Sequence, residues 1–170
     1  MIEKHYWKIK QAALNIDLCV VSKHHSIEEI QSYYDAGERI FAENRATELI
    51  FKAGTLPKDI AWHYIGHLQR NKVKEILPIV SCIQSLDNIA LAKVIEKEAI
   101  KLNRKVDVLI EVHLADEDTN KSGLDPADVD MFTNFLLQEC PHISIQGLMT
   151  MGPHTEDTAR IHEVFAKAQD

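Results

Sequence analysis

The sequence predicts an α/β protein built on a parallel β-sheet, and three observations carry that assignment. Six short apolar runs alternate with amphipathic segments along the chain, the rhythm of strand–helix units joined by right-handed crossovers. The run Leu18-Cys19-Val20-Val21 is apolar without alternation, as in strands buried on both faces of a parallel sheet. The connections are of ordinary length, with no linker and no low-complexity tract. Periodicity alone leaves an open doubly wound sheet and a (β/α)8 barrel equally available. No Gly-x-Gly-x-x-Gly or Walker-type loop follows the first strand, which counts against a dinucleotide or nucleoside-triphosphate fold.

Taken in order, Ile2, Tyr6, Ile9, Ala13 and Leu14 lie close to one helical face and predict a helix over 3–15. The first strand is predicted over 18–22. Ser26-Ile27-Glu28-Glu29 is a capping-box pattern that starts a helix on Ile27, Ile30, Tyr33 and Tyr34, stopped by Gly37. A second strand over 39–42 leads into Glu43-Asn44 and a helix over 46–53 closed by Gly54. A third strand over 61–65 precedes Gly66 and a helix over 71–77 that Pro78 ends. The fourth strand covers 79–84, and Ser85-Leu86-Asp87 reads as a turn. Ile89, Ala92, Ile95, Ala99 and Leu102 at helical spacing predict a long helix over 89–102. The fifth strand, 106–113, is the most apolar and leads into a polar loop. Asp125 then caps a helix with Pro126 at its first position. A sixth strand over 143–149, a break at Gly152-Pro153 and a helix over 157–168 complete the pattern.

The 170 residues suffice for a sizeable core, and residues 1–170 are expected to form a single domain. A 45% hydrophobic and 26% charged composition is that of a soluble globular protein. The net charge of -7 argues against a general nucleic-acid binder, which needs a basic face to displace counterions. It leaves room for a small anion in a local basic pocket. Residues 1–10 lack the apolar region of a signal peptide, and no run is long enough to span a bilayer. Cys19, Cys82 and Cys140 are odd in number and lack metal-ligand spacing, so buried, reduced thiols in a cytoplasmic protein are expected.

The informative polar residues fall just after the strands: Lys23; Glu43 and Asn44; Gly66 and His67; Ser85 and Asp87; Lys121 and Ser122; Thr150. Ligands of parallel α/β proteins sit at the carboxyl ends of the strands, and six loops from one edge converge as at a barrel mouth. The plainer reading is that all strand–helix loops are polar. Lys23 ends an apolar run. Held against apolar walls, such a lysine loses hydration of its charged form, its pKa falls, and the free amine attacks an aldehyde to give a Schiff base. The alternative is a lysine that snorkels to water at a strand end. His63 and His67 are four apart, but on strand and loop rather than on a helix, and no Glu-bearing zinc-binding motif lies between them.

Here the local wording becomes specific. Trp62-His63-Tyr64-Ile65-Gly66-His67-Leu68-Gln69-Arg70-Asn71-Lys72 closely resembles the signature W-H-F-I-G-x-L-Q-x-N-K of the pyridoxal-phosphate homeostasis protein family. Val20-Val21-Ser22-Lys23, Phe41-Ala42-Glu43-Asn44, Lys121-Ser122-Gly123 and Gly147-Leu148-Met149 agree with that family in order and spacing, so the resemblance covers nearly the whole chain. It implies the fold of the alanine racemase N-terminal domain, a (β/α)8 TIM-barrel type, here truncated after six β/α units. It also implies a non-catalytic protein of intracellular pyridoxal 5'-phosphate homeostasis, with the cofactor held as a Schiff base on Lys23. Asn44, His63 and Met149 would line the ring, and Lys121 would sit near the mouth as a secondary cation or amine.

Departures from the family shape further expectations. Ala42 and Arg45 stand where the family usually has glycine and an aromatic residue, which sets a methyl group against the backbone and a charge near the mouth. The serine- and glycine-rich loops that hold the phosphate in the family, and an arginine near the ring nitrogen, have no counterpart between Pro153 and Asp170. Weak retention of the cofactor is therefore expected. The small-molecule cofactor is the expected partner, with no nucleic acid and no membrane. Self-association is expected through the first and sixth strands, whose Val20, Val21, Ile143, Ile145, Leu148 and Met149 would lie at open barrel edges. One rival reading is a racemase-like enzyme, which would need a second base facing Lys23, yet Tyr6, Tyr33, Tyr34 and Tyr64 fall on predicted helices or inside a strand. The other is an interaction protein that has lost cofactor binding.

Overall fold

The computed structural model describes residues 4–13, 15–115 and 122–168. Six strands form one parallel sheet: β1 (Val20–Val21), β2 (Ile40–Glu43), β3 (Ala61–Tyr64), β4 (Val80–Leu86), β5 (Val106–Glu111) and β6 (Ile143–Met149). They pair in the order β1-β2-β3-β4-β5-β6. That order decides between the two architectures. A doubly wound sheet reverses at a switch point, whereas a sheet wound one way keeps its right-handed crossovers on one side and coils toward a barrel. The sheet is of the barrel type, with β1 and β6 at its two edges.

Helix α1 (Lys4–Ala12) precedes the sheet, and α2 (Ile27–Asp35), α3 (Ala46–Thr55), α4 (Val73–Ile76), α5 (Ile89–Leu102), α6 (Val129–Glu139) and α7 (Thr158–Lys167) follow the six strands in turn. The capping box at Ser26 is formed: its hydroxyl accepts from the Glu29 amide, and the Glu29 carboxylate accepts from the Ser26 amide at 2.8 Å. The bounds of α5 and β6 are those the periodicity predicts. Those of α3 are not. Gly54 stays inside the helix, without the positive φ of a C-terminal glycine. The stop comes from Pro57, which drives the preceding Leu56 into extended backbone at φ -85 and ψ 169. β4 also runs on through Ser85-Leu86, because Leu86 pairs with Ile110 of β5.

The core lies between the sheet and its helices. Phe41, Trp62, Val80, Ile83, Val106, Val108 and Ile110 from the strands meet Leu49, Ile76, Leu91, Ile95, Phe132 and Leu136 from the helices, all nearly inaccessible. The other face, the barrel interior, carries His63, Gln84, Asp107, Ser144 and Gln146, none of them buried. This corrects the expectation for the first strand. It is two residues long rather than five, and Val21 is 45% exposed. Its helix side is packed by α2, but its inner side opens to solvent, because an edge strand gains a covered inner face only from neighbours across a filled barrel. No helix among the described residues is long and apolar enough to cross a membrane.

Ile95 is wholly buried and Val21 half-exposed, which gives a direct test of where the core sits. Ile95→Ala should lower stability by about 2–5 kcal/mol, and Val21→Ala by much less. Urea unfolding of the two variants checks this; equal losses would contradict a core confined to the helix side.

Candidate functional site

The register of the strands assembles the site. Val21 pairs with Ala42 and Ala42 with His63, so these three share the inner face. Past the strands, Lys23 lies in the turn that follows β1 and Asn44 directly follows β2, at the carboxyl ends of two neighbouring strands. Lys23 occupies a turn, exposed, with no hydrogen bond or ion pair to any described residue. Of the two readings of Lys23, the exposed lysine at a strand end is the one seen, because β1 is an edge whose inner face is open. His24 beside it has φ 67, and the His25 amide donates to the Ser22 carbonyl at 3.1 Å, closing the turn around Lys23.

Beneath that turn lies a buried charged cluster. Lys52 of α3 donates to Glu43 Oε1 at 2.6 Å and to the Ser22 carbonyl at 2.8 Å. The Ser22 hydroxyl donates to Glu43 Oε1 at 2.7 Å and to the Ala42 carbonyl at 3.0 Å. Glu43 is 0% and Lys52 5% exposed. Glu43, read from the sequence as a mouth residue, instead faces the helices, because alternation along β2 turns it away from the inner face that Ala42 and Asn44 share. Lys52 was not singled out at all. A lysine six residues into an amphipathic helix looks like part of a solvated face, and only its i,i+4 spacing from Glu48 hinted otherwise.

Asn44 is held by its neighbours. The Tyr64 hydroxyl donates to its carbonyl at 3.1 Å, and a Cβ on Gly66 would lie 2.2 Å from the same oxygen. Glycine is therefore required at 66 so that the loop after β3 can close on the loop after β2. The Ser85 hydroxyl in turn donates to the Gly66 carbonyl at 2.6 Å. Three successive strand ends are thereby tied together, and they leave Asn44 Oδ1 buried without a hydrogen-bond partner. His63 lies deeper. Burial holds its imidazole below the usual histidine range against the opposing pull of Asp107. With the Gln84 amide donating to Nδ1 at 2.7 Å, the neutral ring carries its proton on Nε2. Burial pushes the nearby Cys19 thiol up to about 11, against the opposing influence of Gln84. Cys19, Cys82 and Cys140 are all free thiols. His63 and His67 belong to no group of three or more metal-ligating side chains among the described residues.

Met149 pairs with Glu111, so both face inward at the far edge of the sheet, away from Lys23. Gly147, at φ 146, carries the irregularity that turns Met149 inward. Glu111 is a site residue the sequence reading passed over: it is buried, with its Oε1 accepting from the Ser122 hydroxyl at 2.6 Å. Burial, reinforced by Asp87, pushes its carboxyl above the usual range, against Ser122, His67 and His113. A mid-strand apolar context around a lone glutamate was the available signal. Lys121 lies outside the described residues. Arg45 is exposed and pairs with Glu48 at 3.4 Å rather than reaching over the inner face.

A family model described as alanine racemase, N-terminal domain, matches residues 1–170. The pyridoxal phosphate homeostasis protein of Aquifex aeolicus is 38% identical over 144 residues, which are 84% of this chain and 62% of that protein. Its namesake in Helicobacter pylori is 35% identical over 152 residues, 88% of this chain and 68% of that protein. The chain thus spans about two thirds of the length of these curated relatives. Among solved structures, PipY of Synechococcus elongatus without PLP aligns with TM-score 0.90 and 33% identity, covering 99% of this chain and 79% of PipY. PipY with PLP bound aligns with TM-score 0.82 and 30% identity, covering 96% and 77%.

The buried carboxyl at 111 makes a pH prediction. Its folded pKa lies above its unfolded value of about 4.3, so its contribution to stability is full below that pH and is lost as pH rises through the folded pKa. Glu111→Gln keeps the acceptor for Ser122 and removes the titration. The variant should lose less stability than the parent between about pH 4 and 7. Thermal unfolding across that range checks it; parallel curves would contradict a raised Glu111.

Proposed function

The chain belongs to the alanine racemase N-terminal domain family and, within it, to the pyridoxal phosphate homeostasis proteins; on that premise we propose that it binds pyridoxal 5'-phosphate without catalysing turnover, for intracellular supply and buffering of the cofactor. One observation carries the reading. At the carboxyl ends of neighbouring strands, where such sheets bind ligands, Lys23 is exposed and Asn44 Oδ1 is buried, and neither has a side-chain partner among the described residues. Buried polar groups are nearly always satisfied, so an orphan acceptor in a site is an opening for a ligand donor.

These residues suit the cofactor. Condensation of the Lys23 amine with the cofactor's aldehyde, with loss of water, gives covalent attachment. When bound, the cofactor supplies an electron sink for carbanion chemistry, but this reading assigns it to storage. Asn44 offers its Oδ1 to a ring substituent. His63 presents a neutral Nε2–H from the strand next to Asn44, and Met149 supplies a polarizable wall from the far edge. Lys121 is kept as the secondary cation. For the racemase alternative, Tyr6, Tyr34 and Tyr64 commit their hydroxyls to Glu38, Asp59 and the Asn44 carbonyl, so none of these three is free to act as a second base. The same reading assigns the chain to the cytoplasm, where buried thiols such as Cys82 and Cys140 stay reduced. Self-association would use the backbone donors and acceptors of the edges β1 and β6.

Incubation with pyridoxal phosphate, borohydride reduction and peptide mass mapping tests the proposal. The parent should carry one reduced pyridoxyl group, on Lys23, and Lys23→Ala should carry none. Label that persists in the variant on another lysine would reject Lys23 as the attachment point, and no label on either protein would reject cofactor binding.

A further inference from the structure

The turn that carries Lys23 is gripped from both sides by one helix. On the amino side, Lys52 Nζ donates to the Ser22 carbonyl at 2.8 Å while anchored on Glu43 at 2.6 Å. On the carboxyl side, the Glu48 carboxylate lies near the His24 amide, which favours its ionised form. Burial pushes the Glu48 carboxyl up, but the His24 amide and the Lys52 and Arg45 cations outweigh it and hold the group below the usual carboxylate range. Lys52 and Glu48 are one helical turn apart, 3.6 Å between Nζ and Oε2, so a single face of α3 presents both grips.

The turn needs such support. β1 contributes only two paired residues, and it lies at the sheet's edge with no strand on its other side among the described residues. His24 at φ 67 is in the left-handed region, which costs a residue other than glycine about 1 kcal/mol or more and persists only where the surroundings enforce it. The Ser22 carbonyl already accepts from the His25 amide, and Lys52 takes its second lone pair. Nothing in the sheet ladder alone fixes the direction in which Lys23 leaves the backbone.

We propose that Lys52 and Glu48 are positioning residues for Lys23: they clamp the backbone immediately before and after it, and so aim its amine along the inner face toward Asn44. The inference rests on the reading of Lys23 as the cofactor lysine, and it gives the buried ion pair a role beyond folding.

The test separates aim from stability. Lys52→Met alone strands Glu43 as an uncompensated buried charge, so its effects mix the two. The double variant E43Q/K52M removes both charges and should recover most of the stability that K52M loses, yet it still lacks the donor to the Ser22 carbonyl. Two readouts are taken on folded protein well below Tm: the rate at which Lys23 takes up borohydride-trapped pyridoxal phosphate, and hydrogen exchange at the Ser22 and His25 amides. The double variant should label Lys23 about tenfold more slowly than the parent, with faster exchange at both amides. Glu48→Ala should slow labelling in the same direction. Parent-like labelling in the double variant, or parent-like exchange at both amides, would overturn the clamp. If the parent itself takes no label at Lys23, the proposed function fails, and the exchange measurement alone decides whether Lys52 holds the turn.

Discussion

Glu43 and Lys52 form an ion pair that is almost wholly removed from water, and the end of the sheet where Lys23 emerges depends on it. Taking two charges out of water costs several kcal/mol per ion, which their attraction offsets only with good geometry and further hydrogen bonds. Those bonds are present: Glu43 Oε1 accepts from both Lys52 and the Ser22 hydroxyl, and Lys52 also donates to the Ser22 carbonyl. Removing one partner leaves the other charged and buried, a loss of about 3–5 kcal/mol, whereas an apolar pair of similar volume is often as stable. Stability alone therefore does not explain the pair. Its location does, because it joins β1, β2 and α3 where the two-residue β1 has little ladder of its own.

The sheet has two unlike faces, and the proposed cofactor site uses the difference. Toward the helices, strand residues other than Glu43 are mainly apolar and well packed, so the frame is rigid. Toward the interior, Gln84 bonds His63, and Gln146 bonds both Asp107 and Ser144, forming polar links on a partly solvated surface. A rigid wall behind and a polar floor in front suit a ligand held by one covalent bond and a few aimed groups. The ties from Tyr64 to Asn44 and from Ser85 to Gly66 extend the rigidity into the loops, where flexible connections would otherwise blur the geometry.

Much of this was legible in the residues. α5 and β6 end where their periodicity ends, because an uninterrupted amphipathic face and a capping Asn88 leave few alternatives. The resemblance in the segments 20–23, 41–44 and 62–72 singled out Lys23, Asn44 and His63 as candidate cofactor contacts before any strand was paired. Other features depended on long-range geometry. Apolar content at 18–21 signalled a strand but not its position at an edge, so the expectation of burial on both faces did not hold for Val21. Gly54 resembled a helix stop until Pro57, three residues later, proved to set the boundary. Lys52 and Glu111 act through partners on other elements, Ser22 and Ser122, which local spacing does not reveal.

The central claim is that the edge formed by Lys23, Asn44 and His63 is a pyridoxal phosphate site supported from below by the buried pair. A crystal structure of the chain grown with pyridoxal phosphate tests it most directly. The account predicts continuous density from Lys23 Nζ to the cofactor, the ring between Asn44 and His63, and Lys52 still bonded to the Ser22 carbonyl. Cofactor density on a different lysine, with Lys23 free in solvent, would contradict it.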